Sequence, residues 1–120
     1  MVLDNTVYKN GTSKGNIKYY ISYKPEHKLE YVDPTGRTVI LHRVIAKKDI
    51  LIGDLETGKL IEAGTIGGYV EGGKNLSQFG CCWIDKHSIV CGDAQVKNDV
   101  IVGKNCVICE QALLTGNGEV

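Results

Sequence analysis

The sequence has little of what marks several protein classes. Its 120 residues include two prolines, one phenylalanine and one tryptophan, and 14 basic side chains balance 14 acidic ones. Without net charge, nothing attracts the chain in general to nucleic acid or to acidic membranes, so we expect neither as a partner. No stretch is apolar for the length that a signal peptide or membrane helix needs. We therefore expect a soluble, cytoplasmic protein.

Glycine and cysteine are comparatively frequent, with 15 and five residues. Many glycines with few prolines favour short strands joined by tight turns, so we predict an all-β fold of one domain. The cysteines all lie between Cys81 and Cys109. Their odd number in a cytoplasmic protein indicates reduced thiols rather than a disulfide framework.

The chain divides into three parts by pattern. Residues 1–16 are rich in turn residues and predict a flexible lead-in, residues 17–77 predict a β-rich leader, and residues 78–120 form a repeat. Within the leader, the alternation of residues 17–23 places Tyr19 on one side of a strand and Lys18 and Ser22 on the other. Further strands are predicted at 28–32, 38–46 and 50–52, with a turn at Asp33-Pro34-Thr35-Gly36.

Aliphatic residues recur at every sixth position after Gly80. They are Ile84, Val90, Val96, Val102, Ile108, Leu114 and Val120. The fifth position of each block is small or β-branched, and the third and fourth positions are rich in glycine and asparagine, which tolerate corner dihedral angles. A period of six predicts a chain that makes a short strand, turns a corner and repeats. Three blocks would form a coil of 18 residues, so the array predicts two coils with the aliphatic residues inside.

These repeats resemble the hexapeptide-repeat proteins, which are left-handed parallel β-helices. The segment before them resembles small uncharacterised phage and prophage proteins that carry a GGWIE…NLS…CWV pattern. The matching residues are Gly67-Gly68-Tyr69-Val70-Glu71, Asn75-Leu76-Ser77 and Cys82-Trp83-Ile84, with Tyr69 in place of the tryptophan. The resemblance implies a small antiparallel leader followed by a two-coil left-handed β-helix, and an origin in a phage or mobile element.

Candidates for chemistry are few. Acyl transfer is the best-known activity of the hexapeptide-repeat fold, and His87 would be its base, but its place in the block indicates an exposed corner residue. Residues 53–60 nearly match a phosphate-binding loop but have Leu60 where a hydroxyl would hold magnesium. Cys106 and Cys109 face opposite sides of the predicted coil, which argues against a metal site. We expect no cofactor and no metal.

The sixth position of each block should point outwards, and several of these residues are large and apolar. They are Trp83, Ile89, Ile101, Val107 and Leu113. Contiguous exposed apolar residues mark interaction surfaces, so these five predict a binding surface. The alternative is that residues 17–70 fold back and cover one such face.

Cys91 and Cys109 are both second-position residues, 18 apart on one face of the coil. Stacked strands would bring them within disulfide range. In cytoplasm we expect a pair of exposed, reduced thiols instead.

The sequence thus predicts a non-enzymatic protein-binding module. The phage resemblance favours an inhibitor of a host defence complex, such as an anti-CRISPR protein. The alternatives are a minimal acyltransferase-like protein and a virion or assembly component. The outward apolar residues and an open end of the coil predict a homodimer, with a trimer as the alternative.

Overall fold

The fold is all-β, as expected. The computed structural model describes residues 17–52, 58–116 and 120, and the regular structure among them consists of strands and two short 3-10 helices, Pro25–His27 and Gly73–Asn75. The predicted lead-in at 1–16 and most of the phosphate-loop-like segment lie outside these residues. The strands are β1 (Tyr19–Ser22), β2 (Lys28–Val32), β3 (Thr38–Ala46), β4 (Ile50–Ile52), β5 (Lys59–Ile61), β6 (Ile66–Val70), β7 (Trp83–Ile84), β8 (Ile89–Val90), β9 (Gln95–Val96), β10 (Ile101–Val102), β11 (Val107–Ile108) and β12 (Leu113–Leu114).

The leader is built around the hairpin of β2 and β3. Its turn is fixed by Asp33, whose Oδ1 atom accepts the backbone N–H groups of Thr35 and Arg37, both at 3.0 Å. Gly36 completes the turn with φ of +89°, a conformation that is open to glycine because it lacks a Cβ atom. The predicted turn therefore closes the hairpin, and β1 pairs antiparallel with the other edge of β3.

Six strands of two residues follow, and each pairs in parallel with the strand one repeat of 18 residues away. Trp83 lies opposite Ile101, Ile89 opposite Val107, and Gln95 opposite Leu113. We call β7, β8 and β9 the first triplet and β10, β11 and β12 the second triplet. The corners between strands use left-handed residues, namely Gly92, Asn98, Asn105, Glu110 and Gly116. These corners fall at the third or fourth block positions, where the sequence predicted them.

Strand β6 joins the leader to the triplets. It pairs antiparallel with β3 on one side and parallel with β8 on the other, so that Val70 lies opposite Val90. Leu76 forms a parallel bridge with Val96 in the same way. One six-stranded sheet therefore runs from the leader into the triplets. Parallel stacking already begins at β6, upstream of residue 78.

The main core lies between the leader and the triplets and includes the six-residue repeat. The first four aliphatic residues of the repeat, Ile84, Val90, Val96 and Val102, are fully buried, whereas Ile108 and Leu114 are partly buried. Close packing of β6 requires Gly68, where a Cβ atom would lie 2.5 Å from Ile84 Cγ2 and 2.6 Å from the backbone oxygen of Ser88.

Candidate protein-binding surface

The structure divides the five predicted outward residues into covered and exposed ones. Trp83 is only 4% exposed and belongs to the main core, so its prediction as a surface residue is wrong. The cause is the leader: a Cβ atom on Gly67 of β6 would lie 2.7 Å from the Trp83 ring, and a Val44 methyl group of β3 adjoins the same point. The absence of that Cβ lets the backbone of β6 lie directly against the indole.

Ile89 and Ile101 are also covered in part. Ile101 packs against the main core. Ile89 packs against a second cluster, in which Val39 and Leu41 of β3 are buried with Cys91. For these residues the prediction of a free surface is wrong, because the leader folds back over them. That outcome is the alternative that the sequence left open.

Val107 and Leu113 remain exposed, at 49% and 57%. Both belong to the second triplet, and the corner that contains Glu110 and Gln111 connects their strands. We call Val107, Glu110, Gln111 and Leu113 the terminal surface. Valine and leucine gain free energy when they leave water, so this surface can hold an apolar partner that covers them.

Cys91 and Cys109 are joined by a disulfide, so the prediction of two exposed reduced thiols is wrong. Their strands stack directly, with the Cα atoms 4.7 Å apart. Cys91 is fully buried beneath Val39 and Leu41. The bond ties the first triplet to the second immediately before the corner of the terminal surface.

A polar groove of 460 Å³ borders the terminal surface. Hairpin turn, β6 end and corner residues line it: Asp33, Thr35, Arg37, Glu71, Lys74, Gly92, Asp93, Glu110 and Gln111. Sequence analysis missed the groove. Its parts were visible as separate turns, but their meeting depends on contacts between distant segments.

Arg37 and Glu71 form the central ion pair of the groove. Two guanidinium N–H groups of Arg37 donate to the two Glu71 oxygens, at 3.0 and 3.2 Å. Glu71 Oε1 also accepts the backbone N–H of Gly92 at 2.8 Å. The hydrogen bonds from Arg37, and then the one from Gly92, hold the pKa of Glu71 below its usual range. This carboxylate therefore fastens the hairpin to the first triplet.

A second set of contacts fastens the 3-10 helix Gly73–Asn75 to the same corner. The Lys74 ammonium lies 2.6 Å from Asp93 Oδ1, and its hydrogen bond lowers the pKa of Asp93. The buried Asn75 amide donates to the backbone oxygens of Ala94, at 2.8 Å, and Gly92, at 3.2 Å. Every one of these side chains holds a neighbouring element, so the groove is first of all a structural junction.

His87 lies on a corner with its side chain 53% exposed, as the repeat position predicts. Its Nδ1 atom is 3.2 Å from Asp85 Oδ1, a contact that fixes the direction of the ring. Elsewhere, Cys82 is buried and Cys81 and Cys106 are partly buried, all three as free thiols. Within the described segments, the His, Cys, Asp and Glu side chains form no group that could hold a metal ion.

No protein-family model matches this chain, and no curated protein matches it either. Among residues 17–52, 58–116 and 120, no helix is long and apolar enough to cross a membrane. The terminal surface and the groove beside it are therefore the features from which a function is argued.

Proposed function

We propose that this protein is a non-enzymatic protein-binding module and that the terminal surface binds the partner. The observation that carries the proposal is the exposure of Val107 and Leu113, whereas the leader covers Trp83 and most of Ile89. Neighbouring exposed apolar side chains on a compact domain are typical of interaction sites. The charged groove beside them would form the polar rim that such sites have.

We propose further that the triplets form a two-coil left-handed parallel β-helix of the hexapeptide-repeat kind. Parallel pairs at 18 residues and an aliphatic residue facing the core at each sixth position support this proposal. A β-helix side is a flat stack of strands, and such a surface suits contact with another flat or extended protein segment.

The first partner that we propose is a second copy of the chain, in a dimer with two-fold symmetry, with a trimer as the alternative. Burial of about 400 Å² of apolar surface would contribute about 10 kcal/mol before the entropy of association is subtracted. The second is a host defence protein, as the phage-type resemblance implies. The protein would then act in the host cytoplasm as an inhibitor of the anti-CRISPR kind.

Acyl transfer is the enzymatic alternative, and the contact between His87 and Asp85 is the observation in its favour. A carboxylate that orients a histidine is an arrangement used in general base catalysis. Turnover of an acyl donor that His87→Ala abolishes, with the fold intact, would replace the binding proposal.

The test of the binding proposal is capture with a matched control. Immobilised wild-type protein and the Val107→Glu, Leu113→Glu double variant are exposed to host lysate, beside Lys104→Glu, which alters charge at a separate exposed corner. We expect the wild type and the control to retain the same partner and the double variant to lose it. Equal retention by all three would place the binding site elsewhere and refute the terminal surface.

A further inference from the structure

The start of β1 docks on residues 76–82, which we call the coil-start segment. Gln78 Oε1 accepts the backbone N–H groups of Lys18, at 2.8 Å, and Tyr19, at 3.1 Å. Gln78 Nε2 donates to the Tyr19 backbone oxygen at 3.0 Å, and the Tyr19 hydroxyl donates to the backbone oxygen of Leu76. These bonds fix the backbone from which the Lys18 side chain extends.

The Lys18 side chain is buried, with 1% exposure, and its amine meets a cysteine. Nζ donates to the backbone oxygens of Cys82, at 2.8 Å, and Gly80, at 3.3 Å, and to Cys82 Sγ at 3.2 Å. An ammonium group has three N–H donors, so each donor has one acceptor and the third is the sulfur. Cys82 is itself fully buried.

We propose that Lys18 and Cys82 are an oxidative modification site that forms a covalent sulfur–nitrogen cross-link. Hydrogen peroxide is the oxidant. It first converts the Cys82 thiol to a sulfenic acid and releases water. The Lys18 amine, after giving its extra proton to solvent, then attacks the sulfur. The S–N bond forms as the S–O bond breaks, and the hydroxyl leaves with an amine hydrogen as a second water.

The geometry favours this reaction over further oxidation of the sulfur. The two backbone oxygens hold two N–H groups of Lys18, so the lone pair of the neutral amine is directed towards Sγ. Atoms already at contact distance and aligned need little rearrangement to react. Because Cys82 is buried, peroxide reaches it through local opening of the exposed turn at Phe79 and Gly80. The cross-link would bind β1 covalently to the coil-start segment.

Peptide mapping after peroxide treatment of the folded protein tests the proposal. Remaining thiols are alkylated, and the protein is digested with trypsin without reductant. We expect a peptide that joins Lys18 to Cys82, lighter than its two parts by two hydrogen atoms and uncleaved after Lys18. Dithiothreitol should break it and restore both residues.

Two variants make the result specific. Lys18→Gln should lose the cross-link and let Cys82 proceed to sulfinic acid, and Lys18→Arg serves the same purpose if the first variant does not fold. Cys81→Ser should keep the cross-link, because the neighbouring thiol takes no part. The proposal is overturned if Cys82 of the folded wild type stays a thiol, becomes sulfinic acid, or pairs with Cys81 while trypsin still cleaves after Lys18.

Discussion

The two triplets follow one six-residue pattern but differ in what surrounds them. Val90 and Val96 of the first triplet are fully buried, whereas Ile108 and Leu114 at the equivalent positions of the second are partly buried. The difference is larger outside, where Trp83 is buried and Leu113 is exposed. The repeat thus determines in which direction a side chain points, and the neighbouring elements determine whether water reaches it.

The leader is the cause of this difference. It places β6 beside β8 and Leu76 beside Val96, so the first triplet has neighbours on both sides. Among the described residues, the second triplet gains Val120 on that far side, which bonds to the backbone of Ile101 and Gly103. A covered triplet can serve stability, and the less covered one can serve binding.

The largest expected effect separates an inward position from an outward one. Val96→Asp places an unpaired charge inside the first triplet and should lower the free energy of unfolding by about 4 kcal/mol. The matched change Leu113→Asp, on the exposed side of the second triplet, should cost within about 0.5 kcal/mol. Urea denaturation measures both. Similar losses would mean that the alternation of inward and outward positions is wrong.

The next effect comes from the bond between the triplets. Reduction of Cys91–Cys109 opens a link across 18 residues and should lower the free energy of unfolding by about 3 kcal/mol. Thermal unfolding with and without dithiothreitol measures it, and Cys109→Ser should reproduce it without reductant. Cys106→Ser removes a free thiol of the same triplet and should keep the dependence on reductant. A wild type that melts alike in both conditions would contradict the disulfide.

A smaller loss is expected where β6 approaches the first triplet. Gly68→Ala would force a Cβ atom against Ile84 and the Ser88 backbone, and should cost about 1–3 kcal/mol. Gly73→Ala is the control, because a Cβ atom at Gly73 would meet nothing within 4 Å. Chemical denaturation should therefore distinguish the two alanines. Equal stability would mean that β6 does not lie against the triplet as described.

The smallest effect depends on pH. The pKa of Glu71 is lowered in the folded protein by Arg37 and Gly92, so its ionised form contributes stability above the ordinary carboxyl pKa of about 4.3. That contribution is lost as the pH falls through the lowered value. Wild type should be more stable than Glu71→Gln at pH 7, and the difference should vanish in acid, as unfolding curves across pH would measure. Glu30→Gln, on the exposed side of β2, is the control, and a difference that persists in acid would contradict the ion pair.

Local patterns predicted much of the fold. The bounds of β2, β3 and β4 were predicted as the structure has them, because alternation and turn residues act over a few positions. The six-residue period likewise located the fully buried valines of the core. Both results depend on neighbours in the sequence, which is the information that a single sequence holds most directly.

Contacts between distant segments were not predictable in this way. Lys18 was placed opposite the buried side of the first strand, yet it is buried because the coil-start segment meets it there. Trp83 was taken as exposed, although β6 covers it. The prediction of reduced cysteines rested on the expected compartment rather than on the stacking that brings Cys91 to Cys109.

Light scattering across a concentration series tests most directly whether the terminal surface binds a protein, beginning with a second copy. We predict that the mass rises from the 13.1 kDa monomer towards a dimer at high micromolar concentration. Val107→Glu with Leu113→Glu should remain monomeric and unfold at the same denaturant concentration as the wild-type monomer. A wild type that stays at 13.1 kDa throughout, or a double variant that still dimerises, would contradict the account.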